Sequence, residues 1–192
     1  MFMSPEIGLM VSPRRTYAAL AAVARPAPIL VALRRPALAA LVLGVSIAMA
    51  ATGRVTPALV ISTTLCWSFA VAIQAAVALV LIAGPARRTV GVARAFDLFF
   101  AGHAPWSLWL LVVAAWAPSQ LGRPLMPVLV AAIVPLALTV RIVSAFFREV
   151  VELDPREARR RTAIYQLTIW GVLGLLSAAA VQIIPRVLEW IA

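Results

Sequence analysis

The segment TPALVISTTLCWSFAVAIQAAVALVLIAGPARR, residues 56–88, decides the class of this chain. Thr56-Pro57 is a helix start, because a threonine hydroxyl can accept a first-turn N–H and proline needs no hydrogen bond at the first helical position. No charged side chain occurs from Thr56 through Ala86. About 20 consecutive apolar residues carry a helix across the ~30 Å hydrocarbon core of a bilayer. Gly84-Pro85 is a stop signal, so the sequence predicts a transmembrane helix from Pro57 to about Ala83.

Working outward, four further segments share this character. A first span runs from about Pro36 to Ala51, with residues 29–33 available to extend it across Arg34-Arg35-Pro36. Its turn into the next span is Thr52-Gly53-Arg54-Val55. A third runs from about Ala95 to Ala117 and contains Pro105. A fourth runs from about Leu125 to Phe147, with Pro127 near its start and Pro135 inside. Asp154-Pro155-Arg156-Glu157 reads as an N-cap, a first-turn proline and a capping-box acid. The fifth helix starts there, crosses from about Ala163 to Ile184 and meets Pro185. Before these spans, Ser12-Pro13 opens a short helix to about Ala24, with Tyr17, Leu20 and Ala24 on one face. It is too short to span and is expected to lie amphipathic on the membrane surface. The fold expected is therefore all-α: a polytopic integral membrane protein with five transmembrane helices and an N-terminal amphipathic interfacial helix. Residues 1–35 form a cytoplasmic segment and residues 36–192 the five-helix domain.

Composition supports this reading. Hydrophobic residues make up 64% and charged residues 12%, against about 25% charged in soluble domains; mean hydropathy is +1.00. All 17 basic residues are arginines and the net charge is +10. They cluster at Arg14, Arg15, Arg25, Arg34 and Arg35, at Arg87, Arg88 and Arg94, and at Arg148, Arg156, Arg159, Arg160 and Arg161. The intervening connections hold Arg54 and Arg123, and Arg186 lies near the end. Arginine-rich short loops stay in the cytoplasm, so the N-terminus is expected inside, the C-terminus outside, in a bacterial inner membrane. Trp116 and Trp190 fall at the outer boundary, where aromatic belts form. Arginines at span ends favour anionic lipid headgroups as partners and argue against nucleic acid. The first 35 residues, with their arginines and prolines, do not match a cleavable signal peptide. Cys66 stands alone in an apolar run and is expected to be a small buried group, with no disulfide or thiolate metal site.

Polar residues inside the spans are the candidate functional groups, since ionisable side chains in a membrane are costly. Counting along each helix places Asp97 about three residues from the cytoplasmic end, Arg141 about seven, and His103 and Gln74 about nine. Gln166 and Thr168 lie at about four to six. One polar cavity could gather Gln74, Asp97, His103, Arg141 and Gln166, with Arg141 binding an anion such as a lipid phosphate. Alternatively, Arg141 pairs with Asp97 or snorkels, and the amides and histidine bond between helices. His103 has no second ligand at metal spacing. Ser107 has no nucleophile elbow around it, and no phosphate loop or zinc-protease motif occurs. No catalytic, cofactor or metal residues are therefore expected. Gly171, Gly174 and Ala178 make a small-residue face suited to close helix packing, within the chain in preference to a dimer seam.

The start Ser12-Pro13-Arg14-Arg15-Thr16-Tyr17, the run Ala93-Arg94-Ala95-Phe96 leading into a third span with Gly102 and Pro105, and the arginine-rich connection after the fourth span resemble the YIP (Ypt/Rab-interacting) family of five-span membrane proteins. That resemblance implies the five-span fold and a membrane-organising role, and it brings no catalytic residue with it. Eukaryotic relatives bind small GTPases and have a longer soluble N-terminus than the stretch before the first span here. The function expected is non-enzymatic, acting through helix–helix or lipid contacts in membrane organisation or trafficking. The alternatives are a small transporter or permease subunit, or an accessory subunit bound to a membrane-protein partner or to a second copy. Against a transporter, the sequence shows no obvious inverted repeat and no matching pair of broken helices.

Overall fold

The computed structural model describes residues 4–23, 28–116 and 126–191. Among these residues every regular element is helical. Two short helices, α1 (Pro5–Val11) and α2 (Pro13–Ala22), precede the long ones. Then come α3 (Ile29–Thr52) and α4 (Pro57–Ala86). The third segment is split into α5 (Val92–Ala101) and α6 (Ala104–Trp116), and the fourth into α7 (Met126–Ala131) and α8 (Ile133–Glu149). The last helix, α9, covers Pro155–Ile191. Among the described residues four stretches are long and apolar enough to cross a membrane: Ile29–Thr52, Pro57–Ala86, Val92–Trp116 and Met126–Glu149.

Helix ends follow their local chemistry. The Thr56 hydroxyl accepts the Leu59 N–H, and Pro57 opens α4. Gly53 closes α3 at φ 67, the left-handed conformation that glycine adopts without a Cβ penalty, and its N–H donates to the Met49 carbonyl. The first span begins at Ile29 and keeps Pro36 inside the helix. The second passes through Gly84-Pro85 and ends at Ala86. At α9 the Asp154 carboxylate accepts the N–H groups of Arg156 and Glu157 at 2.9 and 3.1 Å. Glu157 does not close a capping box. Its carboxylate holds Arg161 at 2.8 Å and Arg160 at 3.3 Å, the i,i+4 and i,i+3 partners.

Packing begins with α3 against α4, where the backbones approach closely. A Cβ on Gly44 would sit 2.0 Å from the Thr64 hydroxyl and 2.8 Å from its Cα. The Thr63 hydroxyl donates to the Gly44 carbonyl at 2.8 Å. By contrast, Gly171, Gly174 and Ala178 are exposed on α9, and a Cβ on either glycine would meet nothing within 4 Å. Among the described residues the small-residue face expected to pack on the fifth helix thus meets no neighbour, and the close crossing is on the first. Cys66 is likewise exposed, on the outer face of α4, and not buried. A thiol packs against lipid tails much as a small apolar group does, so its sequence surroundings do not distinguish the two faces.

The densest core lies toward the arginine-rich end. Tyr17, Phe99, Phe146, Phe147, Leu98 and Ile142 are almost wholly buried there. Phe99 meets Phe146 and Tyr165 edge-on at 5.3 and 5.1 Å, and Tyr17 meets Phe146 at 5.6 Å. Helix α2 packs on α8, and α1 lies against α2. The expected N-terminal helix is present, yet it is docked into the bundle through Pro13 and Tyr17, with Arg14 and Arg15 exposed. Ala24 of its predicted face lies outside the described residues. Helix α1 was not expected, although Ser4-Pro5 repeats the Ser12-Pro13 signal. It is Ser4, and not Ser12, whose hydroxyl caps a helix, accepting the Ile7 N–H.

Candidate functional site

Two prolines shape the site. Proline has no N–H and its ring clashes with the carbonyl four residues earlier, so inside a helix it can kink or interrupt the turn ahead of it, as Pro105 and Pro135 do and Pro36 and Pro85 do not. Pro105 interrupts the third segment at Gly102-His103, and Pro135 interrupts the fourth at Ala132. The structure therefore interrupts two consecutive segments, each ahead of a proline visible in the sequence. At the first break the N–H groups of Gly102 and His103 turn back to the carbonyls of Phe99 and Phe100. Gly102 has no room for a side chain: a Cβ would lie 2.6 Å from Ile142 Cγ2 and 2.9 Å from the Tyr17 hydroxyl.

Between the broken helices, α3, α4 and α9 lies a cavity of about 400 Å³. Both breaks border it, through His103 and Ala132. Its polar wall is Gln74 from α4, Ser107 from α6, Thr139 from α8 and Gln166 from α9. Its apolar wall includes four tryptophans, Trp67, Trp106, Trp109 and Trp170. At ~1.5 Å per residue, Gln74, His103 and Thr139 each stand about 15–18 Å along their helical segments from the ends at Ala86, Val92 and Glu149. That is close to half the thickness of a ~30 Å core. Phe100 stacks on His103 at 4.5 Å, and Tyr165 borders the cavity from below. Trp106 contacts Trp109 at 5.5 Å and Trp170 at 5.2 Å, so one wall is nearly continuous indole.

Hydrogen bonding in this wall is incomplete. The Trp170 indole N–H donates to Gln166 Oε1 at 3.2 Å. Thr139 is spent on the Pro135 carbonyl at 2.7 Å. Gln166 Nε2, Trp109 Nε1 and His103 Nδ1 are shut off from solvent without a hydrogen-bond partner of good geometry.

Three of the five predicted polar residues, Gln74, His103 and Gln166, thus meet around one cavity, and two do not. Asp97 is buried below, where its carboxylate binds Arg35 at 2.6 Å and Arg94 at 2.8 Å. Arg35 also binds Glu6 of α1 at 3.2 Å. Arg141 is exposed on the outer face of α8 and joins neither the cavity nor Asp97. Two of the three expectations for Arg141, an anion site in the cavity and a pair with Asp97, are corrected by this placement, and the third, a side chain that snorkels to the interface, is untouched by it. The arginine that Asp97 needs arrives from α3 instead. Thr168 is half-buried outside the cavity wall. From the sequence, Trp106, Trp109 and Trp170 are candidate exposed contacts for a partner subunit; that they border one cavity with Trp67 could not be read there, since the four come from α4, α6 and α9 and share no local spacing. Among the described residues no three metal-ligating side chains come together.

Below the cavity, Tyr17 donates its hydroxyl to the Leu98 carbonyl at 3.3 Å. Burial raises the Tyr17 pKa, with the Arg35 charge opposing it, so the phenol stays protonated. Arg161 donates to the Leu81 carbonyl, tying α9 to α4 at the same end. Comparison with protein-family models, with curated proteins and with solved structures finds no match.

Proposed function

We propose that this chain is a non-enzymatic integral membrane protein of the bacterial inner membrane, with the five-span plan of the YIP family. On this reading it holds a membrane-soluble molecule between its helices. The observation that carries the proposal is the cavity at mid-helix height, walled by indoles and bordered by two broken helices. Pockets of about 300–1,000 Å³ lined mainly by apolar side chains with a few placed polar groups are the usual form of small-molecule sites. Among the described residues that border this one, none is a nucleophile paired with a base, and none carries a formal charge at neutral pH apart from any proton on His103. That favours binding over chemistry.

The fifth crossing is assigned to residues 163–184 within the 37-residue α9. The arginine clusters put the N-terminus in the cytoplasm and the C-terminus outside. Exposed Arg14, Arg15, Arg87, Arg88, Arg156, Arg159 and Arg160 would then face anionic headgroups. The broken helices also favour a second reading, a small transporter or permease subunit, because discontinuous helices commonly surround transported solutes.

Native mass spectrometry of the chain released from mild detergent tests the first reading. Wild type is expected to retain one lipid-sized molecule, and Ala70→Phe, which fills the cavity, to lose it. A wild-type chain that carries nothing would overturn the proposal. Reporter fusions at the two termini test the orientation, and an N-terminus outside intact cells would reverse it. Solute uptake into vesicles that depends on the chain would establish the transporter reading.

A further inference from the structure

The outer face of α8, away from the cavity, carries a charge that nothing in the chain answers. Arg141 is exposed there, and among the described residues it has no hydrogen bond, ion pair or ring contact. From Arg141 to the end of the span at Glu149 is about 12 Å at ~1.5 Å per residue, so the side chain starts well inside the hydrocarbon. Long side chains on a helix lean toward its N-terminus, which for α8 is the end away from Glu149. Arg141 therefore reaches the arginine-rich surface only against its own lean. A charge left in lipid is costly, so an anion has to come to it.

Spacing and charge decide which anion. Ser144 and Arg148 follow Arg141 at i+3 and i+7 on the same face of α8. Both are half-buried and, among the described residues, make no hydrogen bond or ion pair. Arg148 leans back toward Ser144, so a phosphate at the level of Ser144 would lie between two guanidiniums and a hydroxyl, and arginine binds phosphate through paired, charge-assisted N–H bonds. On the other side of Arg141 the same face is apolar, with Ile133, Val134, Ala137 and Val140 exposed. An apolar strip leading to a cationic end is the order of tail and head in a lipid of the leaflet on the arginine-rich side. A second copy of the chain does not match. Among the described residues Glu6 and Asp97 are held by Arg35 and Glu149 by Arg14, while Glu152, Asp154 and Glu157 lie past the end of the span. We infer that the outer face of α8 seats one anionic phospholipid, its phosphate held by Arg141, Ser144 and Arg148 and an acyl chain lying along the apolar strip.

The test titrates the purified full chain in detergent with phosphatidylglycerol or with phosphatidylcholine of the same acyl chains, and counts bound lipid by native mass spectrometry. The face is open to the bilayer, so its lipid exchanges and is read at equilibrium, apart from any molecule the cavity retains. Wild type is expected to bind phosphatidylglycerol about five- to ten-fold tighter than phosphatidylcholine, and Arg141→Gln to lose most of that preference. Arg159→Gln removes the same charge from an exposed position outside the spans and is expected to change binding by less than about two-fold, since a charge away from the site adds only screened attraction. Arg148→Gln is expected to act like Arg141→Gln, so one variant that fails to fold leaves the other to decide. Equal losses in Arg141→Gln and Arg159→Gln would overturn the inference, because net charge would then account for the preference. Equal binding of the two lipids by wild type would overturn it too. A membrane protein that co-purifies with wild type and is lost from Arg141→Gln, with phosphatidylglycerol binding unchanged, would assign the charge to a partner's carboxylate instead. Ala70→Phe leaves this face untouched, so the cavity reading and the lipid seat fail separately.

Discussion

Asp97 shows how far a single residue can be read. Its pair with Arg94 follows from i,i+3 spacing on α5, which the sequence displays. Its pair with Arg35 joins residues 62 apart and exists only because α3 packs on α5. Removing the carboxylate leaves two part-buried guanidiniums facing each other, and breaking such a pair costs more than forming it contributes. Asp97→Asn is expected to lower stability by about 3 kcal/mol, measured as a fall in melting temperature in detergent; an unchanged melt would show the cluster to be solvated. Acid should act at another place. Asp154 is held below the usual carboxylate range by the Glu157 and Arg156 backbone N–H groups, and Glu157 by its hydrogen bond to Arg161. A carboxylate whose pKa is depressed on folding stabilises the fold above its unfolded pKa and loses that contribution as pH falls through the folded value. The first turn of α9 is therefore expected to loosen below about pH 4, and Asp154→Ala should abolish that share of the acid sensitivity in amide exchange. Arg141 is the contrary case. Its charge marked it as special, but its exposure on α8 is set by how that helix is rotated, which one isolated charge does not encode.

Among the elements, caps and breakers were the most legible features. Thr56-Pro57, Gly53 and Asp154-Pro155 each act where their chemistry puts them. Prolines 105 and 135 were visible inside their spans, but not that the two interruptions would border one cavity, because that depends on how antiparallel helices are staggered. Helix contacts were less legible still. Gly44 lies in α3 among alanines, leucines and valines, and only the position of Thr64 across the crossing shows why no side chain fits. Gly44→Val is expected to cost about 3 kcal/mol, the upper end for overpacking, because Thr64 backbone atoms cannot move aside as a side-chain tip can. Thermal melting checks this, with Gly174→Val as the control. Gly174 faces open space, so its variant should change stability by well under half as much.

At the scale of the molecule, the N-terminal helices close the bundle beneath the cavity. Tyr17 links them to the first helix break through the Leu98 carbonyl and its contact with Phe146. Tyr17→Ala is expected to cost about 3–4 kcal/mol and to speed amide exchange in α2 ahead of α9; uniform acceleration would show that α2 is not a separately docked unit. By itself, the sequence determined the helical class, the apolar stretches, their caps and the sorting of arginines to alternate ends. These depend on local composition and on the length a helix needs to cross hydrocarbon. Tertiary structure alone decided which face of each helix looks inward. In lipid the outer face is as apolar as the inner one, so no hydrophobic contrast along the chain marks the packed side. Helix α4 is apolar nearly all round. For that reason Cys66, Arg141 and the α9 glycines could be placed on a helix but not on a face, and the four tryptophans became a site only when three helices brought them together.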